Sequence, residues 1–484
     1  MITNNKNNNA INEMQYVVLD QLVPQEHLVR KIDKVIDFEF IREKVKHLYS
    51  DITGRPSIDP VVLFKIVFIQ FMFGIKSMRQ TIKEIEVNMA YRWFLKIGIT
   101  DEVPHFSTFG KNYKRRFEGS RIFEEIFDGI LKQIADNGLI NEETIFVDST
   151  HIKAYANKRK VSDITVKETT NKYVDRLNKE LNQLREEEGK EPLKEKEVKK
   201  IISSTDNECG MFHKGEKERQ LAYSVQTACD KKGWIVGCKT NPGNINDNNG
   251  SIEFLDEYID KHPEVENIVM DAGYTGPVLL NQIIEKGKKP IVPYTSPKGN
   301  NKEITKTKFI FDKEKNYYTC PMGVIVRYKG VKSDGYLQYK TSKKDCKNCP
   351  YKDQCCNSSG YKEISRHLLE NAKDIASTIR KSDLGKELYP VRKQTIERVF
   401  ADTKFNHCLG FTFLRGLKKN HNRCLLIFAV ANMKKLALFI DKTEKKYAES
   451  LTKINAFFNL LFRNLNFSWF FQYWKEKRTI FFQK

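Results

Sequence analysis

The sequence predicts an α/β protein: a mixed β-sheet flanked by helices, preceded by an all-α segment and interrupted by a small cysteine-rich insertion. Three observations predict it. Residues 22–139 carry apolar positions at helical spacing with few strand signals. From Glu143 onward, short β-branched and aromatic runs alternate with helical stretches. Five of the ten cysteines lie between positions 320 and 356.

Within the helical segment, Pro60 suits the first turn of a helix. The residues after it (Val61, Val62, Phe64, Ile66 to Ile69, Phe71 to Phe73) are apolar nearly all round, which predicts a buried core helix. Residues 77–85 and 89–95 read as two short helices joined at Val87-Asn88, a pattern that fits a helix-turn-helix. Arg79, Arg92, Arg115 and Arg116 would then contact DNA phosphates, alongside Lys96, Lys111 and Lys114; an ordinary bundle with solvated basic residues is the competing reading. Ser107-Thr108 after Pro104 is a plausible N-cap.

Strands are expected at 143–148, 221–229, 234–240, 267–270 and 290–292, with helices at 251–259 and 278–286. The first three strands are hairpin-connected and the rest alternate with helices. Residues 156–215 are charge-dense and read as an exposed helix pair broken near Gly189-Lys-Glu-Pro192. The expected partition is a disordered tail at 1–20, a helical DNA-binding domain at 21–142 and a core at 143–299 with 366–440, including the 156–215 insertion. A cysteine-rich, zinc-ribbon-like insertion at 300–365 and a helical extension at 441–484 complete it.

Lys+Arg outnumber Asp+Glu by 83 to 62, a formal net charge of +21. So basic a chain of 484 residues favours a polyanionic partner, because neutralising phosphates releases counterions. The polar start, Met1-Ile-Thr-Asn-Asn-Lys, lacks the apolar core of a secretory signal. The uneven cysteines do not read as a disulfide framework, which points to a reducing cytoplasm. The 456–474 stretch is rich in Phe, Leu and Trp but interrupted by Asn and Arg, so it is a poor bilayer span and no membrane role is expected.

Asp148 ends the apolar run Ile145-Phe146-Val147, and Asp271 ends Ile268-Val269-Met270. A carboxylate that stops a buried strand is delivered to the sheet's edge. Glu397 lies in a helical run beginning near Pro390. On an ideal helix, Lys393 and Lys404 fall within about 40° of Glu397, leaving Val391, Thr395 and Val399 to pack. Three carboxylates suffice for Mg²⁺ or Mn²⁺, and two such ions can activate water and stabilise the leaving oxygen of a phosphodiester. Asp247 follows the third strand and is a competing acid. Cys346-Lys-Asn-Cys349, with Cys320 and Cys355, suits a tetrahedral structural Zn²⁺; Cys356 could replace Cys355, and free thiols are the alternative.

These residues bring a resemblance. The chain resembles the bacterial insertion-sequence transposases with an acidic-triad (DDE), ribonuclease-H-like core. It does so through Gly54-Arg55-Pro56-Ser57-Ile58-Asp59-Pro60, Val147-Asp148-Ser149-Thr150, Asp271-Ala272-Gly273-Tyr274 and Ile396-Glu397-Arg398-Val399-Phe400. Arg415-Gly416 and Ala431-Asn432-Met433-Lys434-Lys435 also fit, so the likeness spans roughly residues 20–440. It implies that Asp148, Asp271 and Glu397 are the catalytic triad. It further implies double-stranded DNA as partner (terminal repeats and target), nicking by metal-activated water and then attack by the freed 3′-hydroxyl. A homodimer working at the nucleoid is the natural expectation. The family's Tyr–Arg–Glu–Lys pattern is met by Tyr389, Glu397 and Lys404. The basic residue four before the glutamate is Lys393, with Arg392 beside it, and Tyr389 lies one place further upstream than the pattern.

Overall fold

The computed structural model describes residues 14, 16–50, 57–167, 172–193, 197–214, 218–293, 304–356 and 358–462. Most of the expected tail at 1–20 (all but 14 and 16–20), positions 54–56 of the resemblance motif and the chain beyond 462 lie outside these residues, so the aromatic-rich stretch is covered only in part.

The N-terminal segment is all helical, as its spacing predicts: α1 (Leu19–Leu22), α2 (Leu28–Val35), α3 (Phe40–Val45), α4 (Pro60–Met72), α5 (Met78–Val87), α6 (Met89–Leu95), α7 (Thr108–Asn112) and α8 (Ile122–Asp136). Pro60 opens α4, and the Asp59 side chain caps it by accepting from Val61 N. α4 is buried nearly all round. Asn88 alone joins α5 to α6, and its side chain accepts from the backbone N–H groups of Ala90 and Tyr91. Ser107 takes the N-cap position of α7 but makes no side-chain cap bond.

The strands follow as β1 (Thr144–Lys153), β2 (Val161–Lys167), β3 (Glu197–Ser203), β4 (Gly210–Lys214), β5 (Glu218–Asp230), β6 (Ile235–Pro242), β7 (Asn267–Val269) and β8 (Lys289–Ile291). β4-β5-β1-β7-β8 form one sheet, with β6 also on β5. β5 and β6 run antiparallel to their neighbours, whereas β7 and β8 run parallel to β1. The β5–β6 hairpin turns at Gly233, whose φ of +78° is the left-handed region that suits glycine. α10 (Asp247–Lys261) and α11 (Pro277–Glu285) supply the crossovers and pack on the face carrying Ile145, Val147 and Ile268.

Three expectations need correction. β1 does not stop at Asp148; it runs on to Lys153 because β5 pairs with it as far as Lys153↔Ala222. Residues 156–215 are not an exposed helix pair. They form the β2–β3 ribbon, strand β4, and one helix, α9 (Lys172–Glu187). Nor is α9 merely a solvated face, since its Leu177 and Leu181 share a core with Tyr318, Val326 and Tyr339 of the cysteine-rich module. That module is a five-stranded antiparallel sheet of β9 (Ile310–Asp312), β10 (Tyr317–Thr319), β11 (Ile325–Val331), β12 (Leu337–Lys340) and β13 (Glu363–Arg366), with short helices α12 (Lys343–Cys346) and α13 (Lys352–Cys355).

The chain then returns through α14 (Glu370–Lys381), α15 (Asp383–Val391) and α16 (Ile396–Asn406) to α17 (Leu417–Phe462). α17 crosses the expected boundary at 440 without a break, so 441–462 is no separate extension. Its buried stretch from Cys424 to Ala437 shares one apolar core with the N-terminal helices and with Ile152, Val225 and Trp234 of the sheet. The helical segment and the sheet are therefore packed as one body around α17.

Candidate functional site

Phe146, Val269 and Ile291 point to the sheet face that Leu388, Ile396 and Phe400 cover. Side chains alternate along a strand, so Asp148, two residues beyond Phe146, emerges on the α15–α16 side. Phe146 is paired with Val269 in the parallel ladder. Asp148 and Asp271 therefore stand level, two residues past the last pair of the ladder. The extended run persists to Asp271: Met270 N donates to Ile291 O, and Asp271 itself is extended (φ −86°, ψ −172°).

Glu397 occupies the first turn of α16. The helix is not continuous from Pro390, contrary to the ideal-helix reading. Pro390 belongs to the end of α15, residues 392–394 form a 3₁₀ turn, and Thr395 breaks the run at φ −110°, ψ −93°. Arg392 is thereby turned inward. Its Nη2 lies 2.5 Å from Asp148 Oδ2 and its Nη1 lies 3.9 Å from Glu397 Oε1, so one guanidinium spans the two acids. Lys393, the basic residue singled out by helical geometry, is exposed in the turn instead. Tyr389 lies beneath Arg380, whose guanidinium sits 4.4 Å over its ring, and packs on the core rather than meeting the carboxylates.

Asp247, at the start of α10, joins the same place. Ser149 Oγ donates to its Oδ1 at 2.5 Å. Asp271 Oδ1 accepts from Gly273 N at 2.7 Å, and a Cβ on Gly273 would stand 2.9 Å from Asp271 Oδ1 and 3.1 Å from Asp247 Oδ2. Glycine at 273 leaves room for both carboxylates to approach the turn. Asn248 ties the two loops together by accepting from Gly276 N and donating to Gly273 O. Tyr274 Oη and Ser251 Oγ both donate to the buried Gln226 Oε1 beneath them.

Burial pushes the Asp148 carboxyl up to about 6, and the neighbouring Asp271 and Asp247 push the same way against the pull of Arg392. Burial, the largest of these effects, outweighs the guanidinium, so an ionised Asp148 lacks compensating positive charge. The acids are gathered but not clenched: among the described residues, Asp148, Asp271 and Glu397 do not bring three oxygens within 4.8 Å of one another. Arg392 stands between two of them. His151 stacks on Phe212 with centroids 3.5 Å apart, and burial pushes its ring down to about 4.

The expected phosphate contacts divide. Lys404, seven residues past Glu397 on α16, is exposed, as is Arg115. Arg79 is exposed with its guanidinium 4.4 Å over the Phe106 ring. Arg116 is half-buried over Tyr49 and donates to Asn112. Arg92 is no DNA contact. It is 5% exposed, and its guanidinium donates to the carbonyls of Glu86, Gly98 and Asp101. With Ala90, Tyr91, Phe94 and Leu95 buried beside it, α6 is a core helix and not one free to enter a groove.

In the cysteine-rich module, Cys320 Sγ accepts from Met322 N and Val324 N, both at 3.3 Å. Burial pushes the Cys355 thiol up, and Cys346, Cys320 and Cys349 are all near enough to push it further. Cys356 pairs with Cys346 and is buried. Two paired amide donors on Cys320 suit a thiolate, the form that holds a metal.

Arg392 was the residue sequence reasoning passed over. Its signal lay in the Tyr389–Arg392 spacing, which a straight-helix assumption obscured. Asp247 was visible only as a competitor.

Residues 17–115 match a family described as "Transposase domain (DUF772)", and residues 319–437 match a "Transposase DDE domain". The second match spans the thiols, Glu397 and the buried stretch of α17; Asp148 and Asp271 fall outside both. No curated protein matches the chain. Two solved structures resemble it slightly. One, titled "Crystal structure of the Mos1 mariner paired end complex with Mn", is 11% identical, covering 53% of this chain and 67% of that one at a TM-score of 0.16. The other, "Crystal structure of a pre-cleavage Mos1 transpososome", is 11% identical, covering 56% and 78% at a TM-score of 0.14. Both likenesses are too slight to establish a shared fold.

Proposed function

From the premise that this chain is a DDE transposase, carrying both a transposase domain and a transposase DDE domain, we propose that it cuts the ends of a mobile DNA element and joins them to target DNA, working as a homodimer at the nucleoid. Asp148, Asp271 and Glu397 are the catalytic acids, with Asp247 beside them. The observation that carries this reading is the level placement of Asp148 and Asp271 just past the paired stretch of the parallel strands β1 and β7, with Glu397 linked to Asp148 through Arg392. The antiparallel β5 and parallel β7 on either side of β1 support the ribonuclease-H-like reading of the sheet.

All-oxygen donors fit Mg²⁺ or Mn²⁺, which when bound would activate water and stabilise both exchanging oxygens. The chain's own residues prepare for that. Asp148, desolvated among other acids, would be stabilised in its ionised form by a bound cation. Arg392 can exchange a carboxylate for a phosphate oxygen through the same fork of donors, which holds the backbone against the acids. Exposed Lys393, Lys404, Arg79 and Arg115 add phosphate contacts, with Arg116 in a supporting position. Cys320, Cys346, Cys349 and Cys355 would hold a structural Zn²⁺ and so brace the small module.

The test incubates protein, labelled element ends, target DNA and Mg²⁺. Joined products are expected. Cut-only products would make the chain a nuclease without strand transfer, and bound but uncut DNA would make it a non-catalytic binding protein; either overturns the reading.

A further inference from the structure

Away from the acids and the thiols, a cluster of one histidine and two glutamates gathers metal-binding atoms. Glu142, His262 and Glu264 each offer a ligand atom, and all three atoms lie within 4.8 Å of one another. Glu142 precedes β1 by two residues, His262 closes α10, and Glu264 lies in the connection to β7. The cluster therefore sits where β1 and β7 begin, whereas Asp148 and Asp271 lie where the paired stretch ends. Six residues of extended chain separate Glu142 from Asp148, roughly 20 Å.

Two of the three ligands are already aimed. Tyr258 Oη donates to Glu142 Oε2 at 2.5 Å, and the Tyr258 ring stacks on His262 with centroids 4.4 Å apart. His262 Nδ1 lies 2.9 Å from Glu142 Oε2 and 3.2 Å from Glu264 Oε1. Outer partners of this kind fix ligand orientation at metal sites. Glu142 and His262 line a cleft of about 1080 Å³ between α8, β6, α10 and α17, which gives an ion and its waters a way in. The same cleft is lined by Asp128 and by Glu124, whose buried Oε2 has no hydrogen-bond partner.

An imidazole nitrogen with two carboxylate oxygens suits a borderline ion such as Zn²⁺ better than Mg²⁺ or Ca²⁺, which favour oxygen alone. We propose that Glu142, His262 and Glu264 bind one divalent transition-metal ion, Zn²⁺ as the probe, with water completing its shell. The ion clamps the start of β1 to the α10–β7 connection, and so steadies the two strands that carry the aspartates. This site is distinct from the thiols and independent of the chemistry proposed above.

Metal-stripped full-length protein is titrated with Zn²⁺ by calorimetry and melted with and without the ion. Glu264→Gln alters an exposed side chain and His262→Gln keeps a polar group of similar size, so at least one variant stays folded. Wild type should bind one equivalent more than either variant, or bind it at least tenfold more tightly, and Zn²⁺ should raise its melting temperature more than theirs. The thiol equivalent should remain in both variants. Equal stoichiometry and equal affinity in wild type and Glu264→Gln would overturn the proposal, as would an extra equivalent that both variants retain.

Discussion

Replacing Asp148 with asparagine should stabilise the metal-free protein while destroying its activity. The folded-state carboxyl lies at about 6 against an ordinary 3.8. Between those values the folded chain keeps a proton that the unfolded chain has released. The free energy of unfolding therefore falls as pH rises through that window, and the loss is complete above it. At about 1.36 kcal/mol per pH unit, this ionisation costs about 3 kcal/mol at neutral pH, with the pull of Arg392 already included. A carboxamide cannot ionise, so the Asp148→Asn variant escapes the penalty. About 1 kcal/mol moves the melting temperature of a 150–250-residue unit by about 2–4 °C and that of a larger body by less, so the variant should melt a few degrees higher at pH 7.5. The advantage should shrink toward pH 5, be small at pH 4 and vanish below the unfolded value of 3.8. Mg²⁺ or Mn²⁺ should then raise the melting temperature of wild type and narrow the gap, because a cation supplies what the pocket lacks. Scanning calorimetry in chelator-treated buffer across pH 4–8 measures all of this. A variant that melts at or below wild type at pH 7.5, or a gap that does not change with pH, would refute the account of Asp148 as a desolvated acid awaiting positive charge.

Three further outcomes are expected. Asp271→Asn should abolish cleavage while leaving affinity for element ends within a few-fold in gel-shift assays; comparable loss of binding would remove it from the catalytic set. Arg92→Ala should lower stability by about 3 kcal/mol, since three carbonyls lose a charged donor, whereas Arg115→Ala should leave melting unchanged and reduce the slope of log affinity against log salt by about 1. Elemental analysis should find zinc that Cys349→Ser removes and Glu264→Gln does not; zinc-free protein with freely titrating thiols would discard the thiol site.

The core strands and both crossover helices were legible because a fully buried strand must be apolar and β-branched, and its turn must carry residues such as Asp230-Lys-Lys-Gly233. The extent of β1 was not. Its second half, Ser149-Thr150-His151-Ile152-Lys153, is polar but for Ile152 and carries no strand alternation, so only the long partner β5 tells a strand from a turn there. The ribbon β2–β3 was missed for a related reason: its charged side chains carry no strong periodicity, and pairing with a distant strand rather than local preference sets its conformation. Arg92 and α6 misled in the opposite direction. A basic residue on a short helix looks solvated until the loop at 98–101 folds back and turns its carbonyls toward the guanidinium.

The break at Thr395 shows most clearly how the site depends on what the sequence pattern hides. A helix running straight from Pro390 would set Lys393 beside Glu397 and carry Arg392 about 100° further round. Thr395 instead leaves the helical region at φ −110°, ψ −93°, with its Oγ1 donating back to the carbonyls of Val391 and Arg392. The chain tightens into a 3₁₀ turn, Ile396 and Phe400 drop into the core with Phe146, and α16 restarts with Glu397 in its first turn. There the helix N-terminus favours a carboxylate. The same turn sends Arg392 down to Asp148 and leaves Lys393 outside. One irregular residue thus selects which cation faces the acids and which faces solvent. The extra position between Arg392 and Glu397, which looked like a departure from the family's spacing, is absorbed by the break without moving either residue out of the site.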